Sequence, residues 1–145
     1  RQYNTVNSEW FLRTNIPEAQ CGGIAQTVSE AIYVGLGYSD INRSVNNKKL
    51  WVSYDNGSSW KDRSSIPAEA SKIIGGVAHL NDIYVVDNNG QIWKYSTERD
   101  TWYKKSRLTV LGDNIHCIYL LEDMIYIGLG SGTSKFVAYN PYWDN

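Results

Sequence analysis

The chain has little cysteine, little histidine, no long apolar run and almost no net charge. Its two cysteines, Cys21 and Cys117, stand without a Cys-x-x-Cys spacing, so they give neither a disulfide framework nor a thiolate metal site. Both fall in segments that read as inner strands, where a free cysteine is expected as a small buried hydrophobe. His79 and His116 are the only histidines. His79 reads as a turn residue following a strand and His116 as a strand start, each solvated or hydrogen-bonded. No metal or other cofactor is expected. No apolar stretch approaches the ~18 residues needed to span a membrane, and Arg1-Gln2-Tyr3-Asn4 lacks a signal core. A cytosolic chain, a mature exported chain and a piece of something longer all fit, with a secreted or cell-surface location favoured. The net charge of −1, with Lys48-Lys49 and Lys104-Lys105 as the only basic doublets, excludes a nucleic-acid partner held by clustered Lys and Arg. Gly-x-Ser-x-Gly, phosphate-loop and zinc spacings are missing as well. Asp113 has no neighbouring carboxylate and reads as a turn residue.

Aromatic residues, at 13%, are plentiful. Ile-Tyr-(Val/Ile) triplets centred on Tyr33, Tyr84 and Tyr126 recur at intervals of about 40–50 residues, the period of a β-propeller blade. Trp10, Trp60, Trp102 and Trp143 follow the same period, each preceded by a tyrosine: Tyr3, Tyr54, Tyr95 and Tyr139. Short runs of Val, Ile, Tyr and Trp, bounded by Gly, Asn, Asp and Ser, predict strands. No window carries a helical apolar period, so almost no helix is expected. Glycine-rich inner strands allow backbones to crowd at an axis. The tyrosine and tryptophan rings are expected as core between splayed sheets, each burying about 150–250 Å².

The fold class expected is therefore all-β: three four-stranded antiparallel meanders, circularly shifted by one strand. Residues 1–18 read as an outer strand that completes another blade. Residues 19–66 and 67–108 read as whole blades, and 109–145 as a blade lacking its outer strand. Closed propellers have about four to eight blades, so three blades call for a partner. It is either the remaining blades of a longer propeller or a second copy forming a homodimer.

Ser53-Tyr54-Asp55-Asn56-Gly57-Ser58-Ser59-Trp60 matches Ser-x-Asp-x-Gly-x-(Ser/Thr)-Trp. In such a turn Asp55 accepts amide hydrogen bonds, Gly57 takes positive φ and Trp60 packs between sheets. The stretch resembles the Asp box of sialidase-like propellers, where it is structural, and the assignment carries over to Ser53, Asp55, Gly57 and Trp60. Ile32-Tyr33-Val34-Gly35-Leu36-Gly37-Tyr38 is similar to the kelch-like blades of galactose-oxidase-type propellers. Neither family's catalytic set is matched. Arg13 and Arg63 occupy equivalent outer-strand positions, and no copper set of two Tyr and two His with a Tyr-Cys crosslink is identifiable.

The loop after the first Tyr strand is longer than its counterparts, Asp87-Asn88-Asn89-Gly90 and Ser131-Gly132-Thr133-Ser134. An insertion confined to one repeat points to function. In a four-stranded meander this loop shares a face with the blade-to-blade loops. That face groups Tyr38, Asp40, Asn42 and Arg43 with Glu18, Gln20, Glu69 and Lys72 as candidate ligand contacts. Mixed aromatic, amide and charged groups suit a glycan or a polar protein epitope. The function expected is a non-catalytic interaction module that binds protein or carbohydrate through this face. The alternative is a segment of a secreted carbohydrate-active enzyme whose catalytic residues lie outside the chain.

Overall fold

A computed structural model of the chain describes residues 6, 9–18, 21–109, 115, 117–128 and 134–144, with the backbone of 2–4. The strands in chain order are β1 (Gln2–Asn4), β2 (Glu9–Phe11), β3 (Ile24–Val28), β4 (Ala31–Gly35), β5 (Leu50–Ser53), β6 (Lys61–Arg63), β7 (Ile73–His79), β8 (Asp82–Asp87), β9 (Gln91–Ser96), β10 (Thr101–Arg107), β11 (Cys117–Leu121), β12 (Met124–Gly128) and β13 (Phe136–Tyr139). They form meanders β3-β4-β5-β6, β7-β8-β9-β10 and β11-β12-β13, plus the hairpin β1-β2. All pairing between strands is antiparallel. The protein is all-β with a propeller-like array of sheets, and no α-helix occurs among the described residues.

Strand alternation explains how the sheets stack. Successive side chains point to opposite faces. In β8, Ile83 and Val85 pack toward the first sheet, in a core shared with Tyr33, Leu50, Val52, Trp93 and Tyr95. Tyr84 and Val86 pack toward the third sheet, in a second core with Ile92, Ile125, Ile127 and Tyr139. The middle sheet is thus apolar on both faces. Its second strand, Asp82–Asp87, is almost wholly buried, and the run Ile-Tyr-Val-Val needs no polar alternation.

The aromatic repeat has a structural counterpart at each junction. Tyr33 meets Tyr95 edge-on at 6.0 Å between ring centroids, and Tyr84 meets Tyr139 at 6.3 Å. In each case a second-strand tyrosine of one sheet packs on the third-strand tyrosine of the next. Polar ties repeat too. Trp60 Nε1 donates to the Thr14 carbonyl at 3.0 Å, and Trp102 Nε1 to the Ser64 carbonyl at 2.8 Å. The Tyr95 hydroxyl donates to Asp100 at 2.6 Å, which also accepts the Ser64 amide at 2.8 Å. Likewise the Tyr139 hydroxyl donates to Asp144 at 2.8 Å, which accepts the Ser106 amide at 2.6 Å.

These ties correct the tryptophan ladder. Trp102 follows Asp100, but Trp143 precedes the equivalent Asp144, so Trp143 is out of phase and 86% exposed. Trp10 and Tyr54 are exposed as well, whereas Trp51, Trp93, Tyr33, Tyr84, Tyr95 and Tyr139 are buried. The N-terminal segment holds two strands where one outer strand was expected, with Tyr3 opposite Trp10 as Tyr95 is opposite Trp102. It corresponds to the third and fourth strands of a sheet. His79 ends β7 instead of lying in the turn. It is buried because Asp123 approaches its Nε2 at 3.0 Å and Tyr84 and Tyr142 flank its ring. Cys21 and Cys117 are free and half-buried. His116 and Asp113 lie outside the described residues.

Three carboxylates give this framework a pH dependence. Hydrogen bonds from the Ser59 hydroxyl and amide, then from Ser53, hold Asp55 at about 2, against an ordinary 3.8. Burial pushes Asp100 up, but hydrogen bonds from Tyr95 and Ser64 and the Arg63 guanidinium outweigh it and hold it low. Asp144 behaves alike: burial raises it, and the bonds from Ser106 and Tyr139 with the Lys105 charge lower it further than burial raises it. Carboxylates depressed in the folded state stabilise it above their ordinary pKa and lose that contribution as pH falls through the folded value. Urea midpoints are therefore expected to drop between about pH 4 and about pH 2. The slope should flatten in a triple Asp55→Asn, Asp100→Asn, Asp144→Asn variant. Equal slopes in the two proteins would refute this origin.

Candidate ligand-binding site

Strand register places the candidate residues at one end of the sheets. Ile24 pairs with Gly35, Gly35 with Leu50, and Leu50 with Arg63. The segments before β3, between β4 and β5, and between β6 and β7 therefore emerge together. They are tied to one another: the Ile66 amide donates to the Lys48 carbonyl at 3.0 Å, the Lys48 ammonium to the Ala70 carbonyl, and the Asn88 amide to the Lys72 carbonyl at 2.9 Å.

The long loop is ordered by its own Asp40. That carboxylate accepts the Ser44 and Val45 amides, each at 2.9 Å, and the Ser44 hydroxyl at 2.6 Å. These bonds, the Ser44 hydroxyl foremost, hold Asp40 below the usual carboxylate range. The Arg43 amide closes a turn onto the Asp40 carbonyl at 3.1 Å, and Arg43 takes a positive φ of 56°. Tyr38 is pinned from both sides. It bridges Cys21 and Asn46, exchanging hydrogen bonds with Cys21 at 2.9 and 3.0 Å.

As a result Tyr38 and Arg43 line a cavity of about 280 Å³ with Gly22, Gly23, Ile73, Ile74 and Ile115. Gly23 has φ 102°, and a Cβ there would come within 2.3 Å of the Gly35 carbonyl, so only glycine permits this wall. The cavity shares Gly23 and Ile74 with a second one of about 330 Å³ that runs along the inner strands past Gln26 and Cys117. Gln26 bridges two of those strands, donating to the Gly76 carbonyl at 2.7 Å and accepting the Ala78 amide at 3.1 Å.

Of the eight candidates, two are brought to this mouth. Asp40 supports the loop from within. Glu18 lies aside, paired with the Lys49 ammonium and accepting from Asn47 at 3.1 Å; its hydrogen bond from Lys49, ahead of that from Asn47, lowers its pKa. Asn42, Glu69 and Lys72 are exposed and do not line the cavity. Gln20 lies outside the described residues. Sequence reasoning missed the apolar wall of Ile73, Ile74 and Ile115. Its signal was the alignment of inner-strand starts across the repeats. Neither the Arg43 guanidinium nor the Tyr38 hydroxyl has a hydrogen-bond or ion-pair partner among the described residues. A surface hollow of about 530 Å³ lies at the opposite end of the second sheet, but there Lys94 and Asp82 pair at 2.8 Å and neutralise each other.

The turn after β5 is closed by hydrogen bonds. Asp55 accepts the Ser59 amide at 2.8 Å and the Ser53 hydroxyl at 2.8 Å, Gly57 has φ 82°, and Trp60 reaches across to Thr14. Ser53, Asp55, Gly57 and Trp60 lie away from the cavity.

No protein-family model matches the sequence, and no curated protein sequence does. Among solved structures, that of YjhT is similar at a TM-score of 0.63 and 13% sequence identity, over 79% of this chain. The chain spans 35% of the length of that structure. At this identity the likeness shows the fold alone: an all-β, propeller-like array.

Proposed function

We propose that the chain is a non-catalytic binding module whose loop face takes a carbohydrate at the Tyr38–Arg43 mouth. The supporting observation is a guanidinium and a phenol, neither of them partnered among the described residues, over a glycine-walled cavity. Arginine supplies five donors in a rigid fork, suited to hydroxyl and carboxylate oxygens. Tyrosine supplies an apolar ring face and a polar tip at small entropic cost. A cavity of about 280 Å³ lies just below the range of about 300–1,000 Å³ for small-ligand sites. It suits a sugar ring better than a flat protein epitope. The kelch-like and Asp-box resemblance of the repeats agrees with a propeller that presents its ligand on loops.

The test is a glycan array read with the wild-type chain and with Arg43→Ala and Tyr38→Ala. Binding to a defined set of glycans is expected, weakened by about tenfold or more in each variant, as for a contact worth above 1.4 kcal/mol. Arg43→Lys should recover only part of the loss, because a point charge does not replace the fork. If the wild type binds no glycan, or if both alanine variants bind as well as it does, the reading is wrong. A protein captured equally by all three would place the function on another surface.

A further inference from the structure

Given a carbohydrate at the Tyr38–Arg43 mouth, the reading on which this inference rests, we propose that the sugar selected there is a deoxyhexose. In such a sugar methyl replaces the hydroxymethyl group, and that methyl rests on a floor of isoleucines. Hydrogen-bonding groups are unevenly shared around the cavity. Among the described residues that line it, only Tyr38 and Arg43 have side chains that hydrogen-bond; the rest are Gly22, Gly23 and the isoleucines Ile73, Ile74 and Ile115. Both polar groups belong to the segment between β4 and β5. The Tyr38 ring lies along the glycine wall, its Cδ2 3.9 Å from where a Cβ on Gly22 would stand.

The floor is built by an irregularity of β7. Ile73 pairs with Asp87 and Gly75 with Val86, which leaves Ile74 as an extra residue. A bulge of this kind interrupts the alternation of side chains and re-aims one of them. Two successive residues of one strand thereby reach the same cavity. Ile73 packs into the core between the first and second sheets, and Ile115 and Ile74 into that between the second and third. The cavity therefore sits where the two cores come together, and Ile74 stays half-buried.

Such a cavity discriminates by what it leaves unpaired. A hexopyranose carries hydroxyls all round its ring, its hydroxymethyl arm included. One that hydrogen-bonds to Tyr38 and Arg43 must turn another polar end toward the isoleucines, and a buried hydroxyl without a partner is penalised. A deoxyhexose has one end that carries no hydroxyl, and its methyl gains by burial against isoleucine. An N-acetyl group also ends in methyl, but it brings an N–H that needs an acceptor. The guanidinium only donates, so the phenol oxygen would be the one side-chain acceptor for it. The ring oxygen and hydroxyls of a deoxyhexose match the donor fork of Arg43.

The experiment compares dissociation constants, from NMR titration, for methyl glycosides of L-fucose against L-galactose and of L-rhamnose against L-mannose. The members of each pair differ only at the methyl. The deoxy member of at least one pair is expected to bind about 10–100-fold tighter, the discrimination an apolar pocket achieves against an added hydroxyl. Arg43→Ala should weaken both members of that pair by a similar factor. Ile74→Thr, which puts a hydroxyl into the floor, should cut the preference to about threefold or less. Ile74→Val keeps the floor apolar and should keep the preference. Ile73→Thr replaces Ile74→Thr if circular dichroism shows that variant unfolded. With Arg43→Ala still weakening binding, three results overturn this inference alone: both pairs bound within about threefold, an N-acetylhexosamine glycoside bound tighter than either deoxy sugar, or the preference lost equally in the threonine and valine variants. If none of the sugars binds, or if Arg43→Ala binds as well as wild type, the carbohydrate reading fails and this inference with it.

Discussion

Asp87→Ala is expected to lower the stability of the chain by about 4 kcal/mol, a drop in Tm of about 10–15 °C for a domain of this size. Asp87 is 2% exposed. Its carboxylate accepts the Asn89 and Gln91 amides at 3.0 Å each, the Ser71 amide at 3.1 Å and the Trp93 indole at 3.3 Å. It thereby holds the turn between β8 and β9 and anchors the preceding loop at Ser71, two residues before the strand that walls the cavity. Alanine leaves these buried donors without an acceptor. An orphaned buried donor costs about 1–3 kcal/mol, partly relieved by entering water. Asp87→Asn, which keeps one acceptor oxygen but turns an amide toward amides, should fall between. A second effect follows from the connection to Ser71. Ile73 and Ile74 should shift, and ligand binding at the Tyr38–Arg43 mouth should weaken although Asp87 does not touch it. Thermal unfolding and binding measured on the same variants test both parts. A loss below about 1 kcal/mol for alanine would mean that other contacts hold the turn.

Gly35→Ala should cost about 3 kcal/mol, a drop in Tm of about 6–12 °C. Gly35 is a buried residue at the end of β4 with φ 147°. A Cβ there would lie 2.2 Å from the Lys49 carbonyl oxygen. That oxygen also accepts the Leu36 amide at 2.9 Å, so it cannot retreat without breaking the first bond of the loop. The next residue, Leu36, is itself at φ 61°. The chain turns sharply here to send Tyr38 and Arg43 over the cavity. The variant is therefore expected to lose glycan binding more completely than its stability loss alone would produce. Denaturation by urea gives the first quantity, and array binding well below the midpoint gives the second. Wild-type stability in this variant would show that β5 moves freely away from β4, contrary to the packing of Leu50 and Trp51, both 1% exposed.

The comparison of expected with observed rings is instructive. Tyr33, Tyr84, Tyr95 and Tyr139 were legible as core from spacing, because a second-strand or third-strand position has the same neighbours in every sheet. Trp143 has the right spacing but the wrong phase, and the phase became visible only through Asp100 and Asp144 binding equivalent tyrosines. The exposed stack of Tyr119, Tyr126 and Phe136 follows from position in the array. The residue type is that of a buried tyrosine, and no sheet among the described residues covers it. The candidate site was half legible. The long loop pointed to Tyr38 and Arg43, but Asp40 and Glu18 are engaged inside the loop cluster. Short polar side chains in loops bond to the nearest backbone or cation, and their ligand-facing or self-facing role depends on geometry that spacing does not encode.

By itself the sequence determined the strands of the three sheets, their order and the all-β class, because alternation, turn residues and aromatic period are local properties that each segment carries; the N-terminal hairpin it read as one strand. It also determined which loop is unusual. The tertiary structure alone decided which rings meet across sheets, that His79 is buried beside Asp123, and that Gly23, Arg43, Ile73 and Ile115 share one mouth. Those residues are far apart in the chain. They meet because three backbones converge at one end of the array, and convergence is a property of the packed sheets.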